Sequence, residues 1–361
     1  MKPPFRADQV GSLLRPRELA EARAKFRKNE LPAHDLKAVE DRCIRDAVAR
    51  QEAIGLESIT DGEMRRDWWH MDFMTQLEGV TAVANPGPIF VGTEEQPPIP
   101  SVTGKVGCSK PIMVQDFVFL NNNTTKTAKF TIPSPAMLHL RGGRNSISKQ
   151  VYPDLDAFWA DAAAAYCKAI RHLSDAGCRY LQLDDVSFSY LCDQKIQDTC
   201  RRNGDDPAKL PRVYADAVTA ALKDRPAGMT VTMHTCRGNF KSSWVASGGY
   251  EPVAEAMFSS GVDAFFMEFD SDRAGGFEPL RYLPKNKKVV LGLVTSKTPE
   301  LESKDYLRKR IEEAARFVPL ENLCLSPQCG FSSTHHGNSL TQDEQWRKLQ
   351  LVVEVAREVW G

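Results

Sequence analysis

Apolar residues recur along this chain in two rhythms that take turns. Short runs rich in β-branched and apolar residues fall at 9–13, 58–61, 129–133, 180–184, 230–234, 264–268, 288–293 and 322–326. Between them apolar positions return every three or four residues, the period of an amphipathic helix. Leu36, Val39, Cys43, Ala47 and Ile54 form one stripe, with Asp35 expected as its cap and Gly55 as its stop. Pro153 and Asp154 open another, in which Leu155, Phe158, Ala162, Tyr166, Ile170 and Leu173 face inward and Gly177 ends the helix. Thr341 and Glu344 have capping-box spacing ahead of Trp346, Leu349, Val353, Ala356 and Trp360. Eight strands alternating with helices predict an α/β protein, specifically a closed parallel (β/α)8 TIM barrel.

Two stretches interrupt the alternation. Residues 15–32 are charged and are expected to be helical, as an extension after the first strand. Residues 84–123 are rich in Pro and Gly and hold short β-branched runs at 99–102 and 112–119. They predict a β-hairpin insertion after the second strand, so that residues 1–361 form one barrel domain.

Composition narrows the partners. The 47 basic and 47 acidic residues cancel, which argues against a nucleic-acid or anionic-membrane surface and leaves only a local basic pocket open. No apolar run approaches the ~18 residues of a membrane helix. The first ten residues carry Lys2, Arg6 and Asp8 with no apolar signal core, so a cytoplasmic location is expected. Nine cysteines, an odd number over a long chain, suit a reducing compartment. Cys43, Cys167 and Cys178 lie in or beside helical stripes and read as core. The oligomeric state is open, a homo-oligomer included.

The chemistry gathers at strand ends. His234 and Cys236 close the run Thr232-Met233-His234-Thr235-Cys236, and in an extended chain residues i and i+2 point the same way. Glu268 ends the next strand, and Cys329 follows the eighth in Ser326-Pro327-Gln328-Cys329-Gly330. A barrel brings all four to its C-terminal rim, where barrel enzymes keep their chemistry. Imidazole and thiolates are ligands that zinc favours, and a carboxylate is a fourth that can open. A His-x-Cys pair alone reads equally as a buried imidazole beside an inert thiol; the further metal-type residues at strand ends favour a Zn²⁺ site. His335 and His336 adjoin in a Gly- and Ser-containing loop, where neighbouring side chains are expected to diverge; substrate contact is favoured there over metal ligation. Two thiolates and a carboxylate leave a Zn²⁺ site at about −1. Such a centre is a poor Lewis acid for hydrolysis but suits lowering the pKa of a further thiol, as alkyl transfer to sulfur needs.

Further motifs run in the same order: Arg6-Ala7-Asp8-Gln9-Val10-Gly11-Ser12, Asp61-Gly62-Glu63, Leu181-Gln182-Leu183-Asp184-Asp185, His234-Thr235-Cys236-Arg237-Gly238-Asn239 and Glu268-Phe269-Asp270-Ser271-Asp272-Arg273-Ala274-Gly275. With Ser326-Pro327-Gln328-Cys329-Gly330, they resemble the catalytic domain of cobalamin-independent methionine synthase, and more closely its short single-barrel relatives. The resemblance spans nearly the whole chain. It implies zinc ligands His234, Cys236, Glu268 and Cys329. It implies that Glu63 and Asp184 grip the amino group of a homocysteine-like thiol, and that Ser12 lies near the substrate carboxylate. The implied activity is that of a methyltransferase of methionine biosynthesis, resembling 5-methyltetrahydropteroyltriglutamate–homocysteine S-methyltransferase.

The donor side departs from the family pattern. The tryptophan that stacks on folate in the longer enzymes has no counterpart in residues 131–141. The histidine after the seventh strand is absent from residues 292–297, where Lys297 is the only titratable group and a candidate acid. Gln9 stands where the short relatives are expected to have histidine. The acceptor half of the site is thus preserved and the donor half changed. Arg237, Asp270 and Arg273 are candidates for support of the ligands or for donor binding, and equally for a buried structural ion pair. Three rival readings remain. Alkylation of another thiol, as in epoxyalkane:coenzyme M transferase, is disfavoured because Glu63 and Asp184 would repel a sulfonate. A barrel holding a merely structural zinc, or none, is the non-enzymatic alternative. A decarboxylase-like barrel without metal is disfavoured by the His-x-Cys and Cys329 pattern.

Overall fold

The computed structural model describes residues 2–85 and 96–361. Its strands in chain order are β1 (Ser58–Ile59), β2 (Glu78–Val83), β3 (Ile99–Gly107), β4 (Thr127–Pro133), β5 (Tyr180–Asp185), β6 (Thr230–Thr235), β7 (Ala264–Glu268), β8 (Lys288–Val294) and β9 (Leu323–Pro327). Seven of them form one curled parallel sheet in the order β1-β4-β5-β6-β7-β8-β9, while β2 and β3 pair antiparallel as a separate hairpin. Helix Leu155–Asp175 connects β4 to β5, helix Gln342–Trp360 follows β9, and both bury their apolar stripes. The architecture is that of an α/β barrel, as the alternation predicts. Among the described residues, no helix is long and apolar enough to cross a membrane.

The eighth stave differs from the expectation. Residues 9–13 do not form a regular strand. Instead Ala7 bridges Leu325 in parallel, the Asp8 amide donates to the Leu325 carbonyl at 2.9 Å, and the Leu13 amide donates to Gly62 at 3.0 Å. The N-terminal segment therefore spans the gap between β9 and β1 without a continuous ladder. A side chain supplies the missing bonds. The Asp8 carboxylate accepts from the amides of Phe5 and Gln9, from Ser58 Oγ and Tyr180 Oη at 2.8 Å each, and from Lys129 Nζ at 3.2 Å. Both charges are fully buried, so the pair is stable only because these neighbours satisfy it. Above this network, Val10, Phe266, Val290 and Cys324 pack together as a small apolar cluster.

Other local expectations shift too. Helix Ala33–Ala53 has Pro32 at its N-cap and no side-chain cap; Asp35 sits in the first turn, where its charge complements the helix dipole. Asp154 does cap Leu155–Asp175, accepting from the Ala157 amide at 3.0 Å, and the Thr341/Glu344 capping box forms. The charged stretch gives helix Arg17–Arg27. The hairpin starts at Glu78, ahead of the predicted insertion boundary at 84, and residues 86–95 of that insertion lie outside the described residues. The run at 112–119 is no strand; it enters helix Val114–Asn123, because Phe117 and Leu120 bury at helical spacing.

Candidate metal centre and its cavity

Parallel register brings the predicted ligands together. His234 lies near the end of β6 opposite Asp184 of β5, and Glu268 ends β7 opposite Gly292 of β8. A side chain at Gly292 would meet the Gln328 Cα at 2.7 Å and the Met267 carbonyl at 2.9 Å, so β8 passes the rim without one and leaves room for the turn after β9. That turn carries Cys329. One ligand atom each from His234, Cys236, Glu268 and Cys329 lies within 4.8 Å of all the others, and all four residues are buried. The two sulfurs stand 3.4 Å apart, too far for a disulfide and close to the ~3.7 Å between two thiolates sharing a tetrahedral zinc.

Neighbouring groups orient these atoms. His234 Nδ1 is 3.4 Å from Asp184 Oδ1, and its Nε2 is 3.3 Å from the Gln328 carbonyl. Glu268 Oε1 accepts from the Arg237 amide at 3.1 Å, and its Oε2 pairs with Arg273, which also binds Asp270 at 2.9 Å. The Gly238 amide donates to Cys236 Sγ at 3.3 Å from a left-handed turn (φ +91°) that favours glycine.

The electrostatics are those of an anion cluster balancing itself with protons. Burial opposes charge on His234, but hydrogen bonds to Asp184 and Cys329 outweigh it and push its pKa up to about 10. The hydrogen bond with Cys329, together with burial, raises the Cys236 thiol well above its usual value, and the same bond holds Cys329 well below its own. Burial, then the Cys329 charge, raises Glu268 against the pull of Arg273 and Lys297. One shared proton and an imidazolium thus offset the negative charge. A divalent cation would do so better, since two soft sulfurs, an imidazole and a carboxylate are the donor set that zinc takes in four-coordinate sites. The residues fit such an ion.

The cluster opens into a small, partly open cavity among the strand-end loops. Ser12, Glu63 and Asp184 line it together with His234, Cys236 and Cys329. Glu63 stands on a left-handed residue (φ 56°) held from behind: Arg15 donates to its carbonyl at 2.7 Å, and its amide donates to Asp61 Oδ1 at 2.8 Å. Its Oε1 accepts from Thr131 Oγ1 at 2.8 Å, while its Oε2 is buried with no partner. Burial, opposed by Arg66 and reinforced by Asp184, raises the Glu63 carboxyl to about 7. Ser12 Oγ accepts from the Ser332 amide at 3.3 Å.

Other predicted residues lie outside the cavity wall. The Arg237 guanidinium is buried over the Tyr250 ring at 4.3 Å. Asp270 and Arg273 stand behind Glu268. Lys297 Nζ lies 3.3 Å from the Gly238 carbonyl, and its charge bears on Cys236, Cys329 and Glu268. His335 and His336 do not diverge: their rings lie 3.9 Å apart at a 35° tilt in the loop and pack on Trp68, with His336 also on Phe240. Sequence reasoning missed Trp68, Arg141, Tyr190 and Phe240, which all line the cavity. They come from four separate loops or short helices, and no spacing rule links them.

A parallel α/β barrel with a nitrogen-, sulfur- and oxygen-lined candidate metal site at the C-terminal ends of its strands is the class that fold and site define. Within it, the chain belongs to the cobalamin-independent synthase catalytic-domain family, whose model matches residues 5–358. It is 46% identical over 363 residues to the uncharacterized protein YxjH of Bacillus subtilis (strain 168), covering 99% of this chain and 96% of that one. It is 24% identical to the methionine synthase of Pyrococcus furiosus, over 97% of this chain and 91% of that protein. Among solved structures, a Listeria monocytogenes protein provisionally described as a vitamin-B12-independent methionine synthase superposes with a TM-score of 0.81 at 40% identity, covering 100% of this chain and 99% of that one. A B12-independent methionine synthase from Shewanella sp. W3-18-1 shares the fold, with a TM-score of 0.74 at 20% identity over 98% and 97% of the two chains.

Proposed function

We propose that this protein transfers a methyl group to the thiol sulfur of homocysteine, giving methionine, with zinc held by His234, Cys236, Glu268 and Cys329. The reading rests above all on one juxtaposition. The four ligand atoms cluster within 4.8 Å, and the same cavity holds the unpartnered Glu63 Oε2 and Asp184. Zinc bound there supplies the acidity that keeps a substrate sulfur deprotonated and nucleophilic near neutral pH.

The chain's own residues do the rest. Glu63 and Asp184 receive the substrate ammonium by charge-assisted hydrogen bonds, and Ser12, on the same cavity wall, receives the carboxylate. Fixing the amino-acid end aims the sulfur at the metal cluster and removes much of the entropy of a two-substrate step. Asp184 also orients His234, so one carboxylate serves the substrate and a ligand. Lys297 acts through its charge, offsetting the anionic ligands while its Nζ stays on the Gly238 loop. In the overall step the sulfur electron pair forms the new S–C bond, the bond from methyl to its carrier breaks with its pair going to the carrier, and the thiol proton is released.

The test incubates zinc-loaded protein and L-homocysteine with methyltetrahydrofolates, methylcobalamin, S-methylmethionine and small methylated sulfur compounds. Methionine is followed by mass spectrometry. Zinc-dependent methionine from at least one donor supports the proposal. Failure of homocysteine to bind the zinc-loaded protein in calorimetry would defeat it.

A further inference from the structure

The cavity has a second pole that the grip on homocysteine does not use. Arg141 lines it, and its Nε and Nη1 are buried with no hydrogen-bond partner. Tyr190 lines it as well, and its Oη is equally buried and unpartnered. Three donor atoms on two residues lining one cavity thus have nothing to receive their hydrogens. A buried unpaired cation is costly, and such cost is retained where a ligand satisfies it. Burial keeps the Tyr190 phenol protonated, so it donates rather than repels.

The pole lies at the sulfur end of the cavity. Tyr190 Oη stands 3.0 Å from the Cβ position of Gly238, two residues beyond Cys236, and the charge of Arg141 acts with Tyr190, Cys236 and His70, whereas that of Glu63 acts with Arg66, Asp184 and Arg15. A thiol amino acid held at Glu63 and Asp184 points its sulfur toward Cys236. Methyl transfer is in line, so the carrier of the methyl group occupies the side of the methyl carbon away from that sulfur. Trp68, Trp69 and Tyr190 give the cavity aromatic walls.

From this arrangement we infer that Arg141 and Tyr190 form an anion-binding subsite for the methyl donor, so that the donor is a small molecule bearing a carboxylate near its methyl group. The inference rests on the proposed methyl transfer for the word donor; the anion subsite itself does not. Arg141 and Tyr190 are positioning and specificity residues in this role.

The probe is methylthioacetate, compared with its uncharged methyl ester, titrated into the full chain with and without zinc and read by quenching of tryptophan fluorescence. The wild-type protein is expected to bind the acid about tenfold or more tighter than the ester, the size of one charge-assisted hydrogen bond. Arg141→Gln should abolish that preference, Arg141→Lys should retain part of it, and Tyr190→Phe should weaken it severalfold. L-homocysteine affinity should stay within about twofold in all three. Equal binding of acid and ester by wild type overturns the inference, as does a preference that persists in Arg141→Gln. So does a matching loss of homocysteine affinity in Arg141→Gln, which would assign the guanidinium to the amino-acid carboxylate. Should Arg141→Gln fail to fold, Arg141→Lys and Tyr190→Phe carry the same comparison. Because the probe needs neither thiol nor metal, failed methionine synthesis would leave this result legible, and the reverse holds too.

Discussion

Glu63→Gln separates the cost of the site from its use. The carboxyl is buried beside Asp184, and its pKa stands at about 7 against 4.5 for an ordinary glutamate. Between those two values the folded protein holds a proton that the unfolded chain releases. Stability therefore falls as pH rises from about 4.5 to 7, and the loss is complete above that window. The rise corresponds to roughly 3 kcal/mol of folding free energy. Glutamine does not titrate, so the stability of the variant relative to wild type should climb by about that amount between pH 4 and pH 8. Urea unfolding of both proteins across that range measures it. Binding should move the opposite way. Loss of a charge-assisted bond to the substrate ammonium should weaken L-homocysteine by roughly 10- to 100-fold in calorimetry on zinc-loaded protein, with zinc content unchanged. Wild-type affinity should itself rise with pH through about 7 as Glu63 ionises. A stability difference that ignores pH would refute the desolvation argument, and an unaltered homocysteine affinity would refute the grip.

Three further outcomes follow from the geometry. Cys236→Ser and Cys329→Ser should each lose zinc and methyl transfer together while circular dichroism stays native, because the core does not depend on the cluster; full zinc content by elemental analysis would contradict the ligand set. Arg273→Met removes the 3.1 Å partner of Glu268 Oε2 and should weaken zinc about 10- to 100-fold in a chelator competition; unchanged competition would leave Arg273 in a buried structural ion pair only. Asp8→Ala strands the buried Lys129 and unpins the N-terminal stave, so it should lower stability by about 3–5 kcal/mol, whereas a loss under 1 kcal/mol would show that the stave closes without it.

Much of this protein was legible in one dimension, because the deciding interactions are local or repeat with a fixed period. Strand runs ending at Asp184, His234 and Glu268 placed metal- and substrate-type residues at the same end of neighbouring strands, and parallel register does the rest. The Asp154 cap and the Thr341/Glu344 box depend on contacts three residues apart and were readable for that reason. Other features were decided only in three dimensions. Residues 9–13 have strand composition, but their place between β9 and β1 is fixed by the Asp8 carboxylate reaching residues as distant as Tyr180. Phe117 and Leu120 make a helix where β-branched runs suggested a strand, since burial against the barrel outweighs intrinsic preference. Arg141 and Tyr190 carry no mark in the sequence. Their meaning is the absence of any partner around them, and an unsatisfied hydrogen bond exists only once the whole fold has decided what each atom faces.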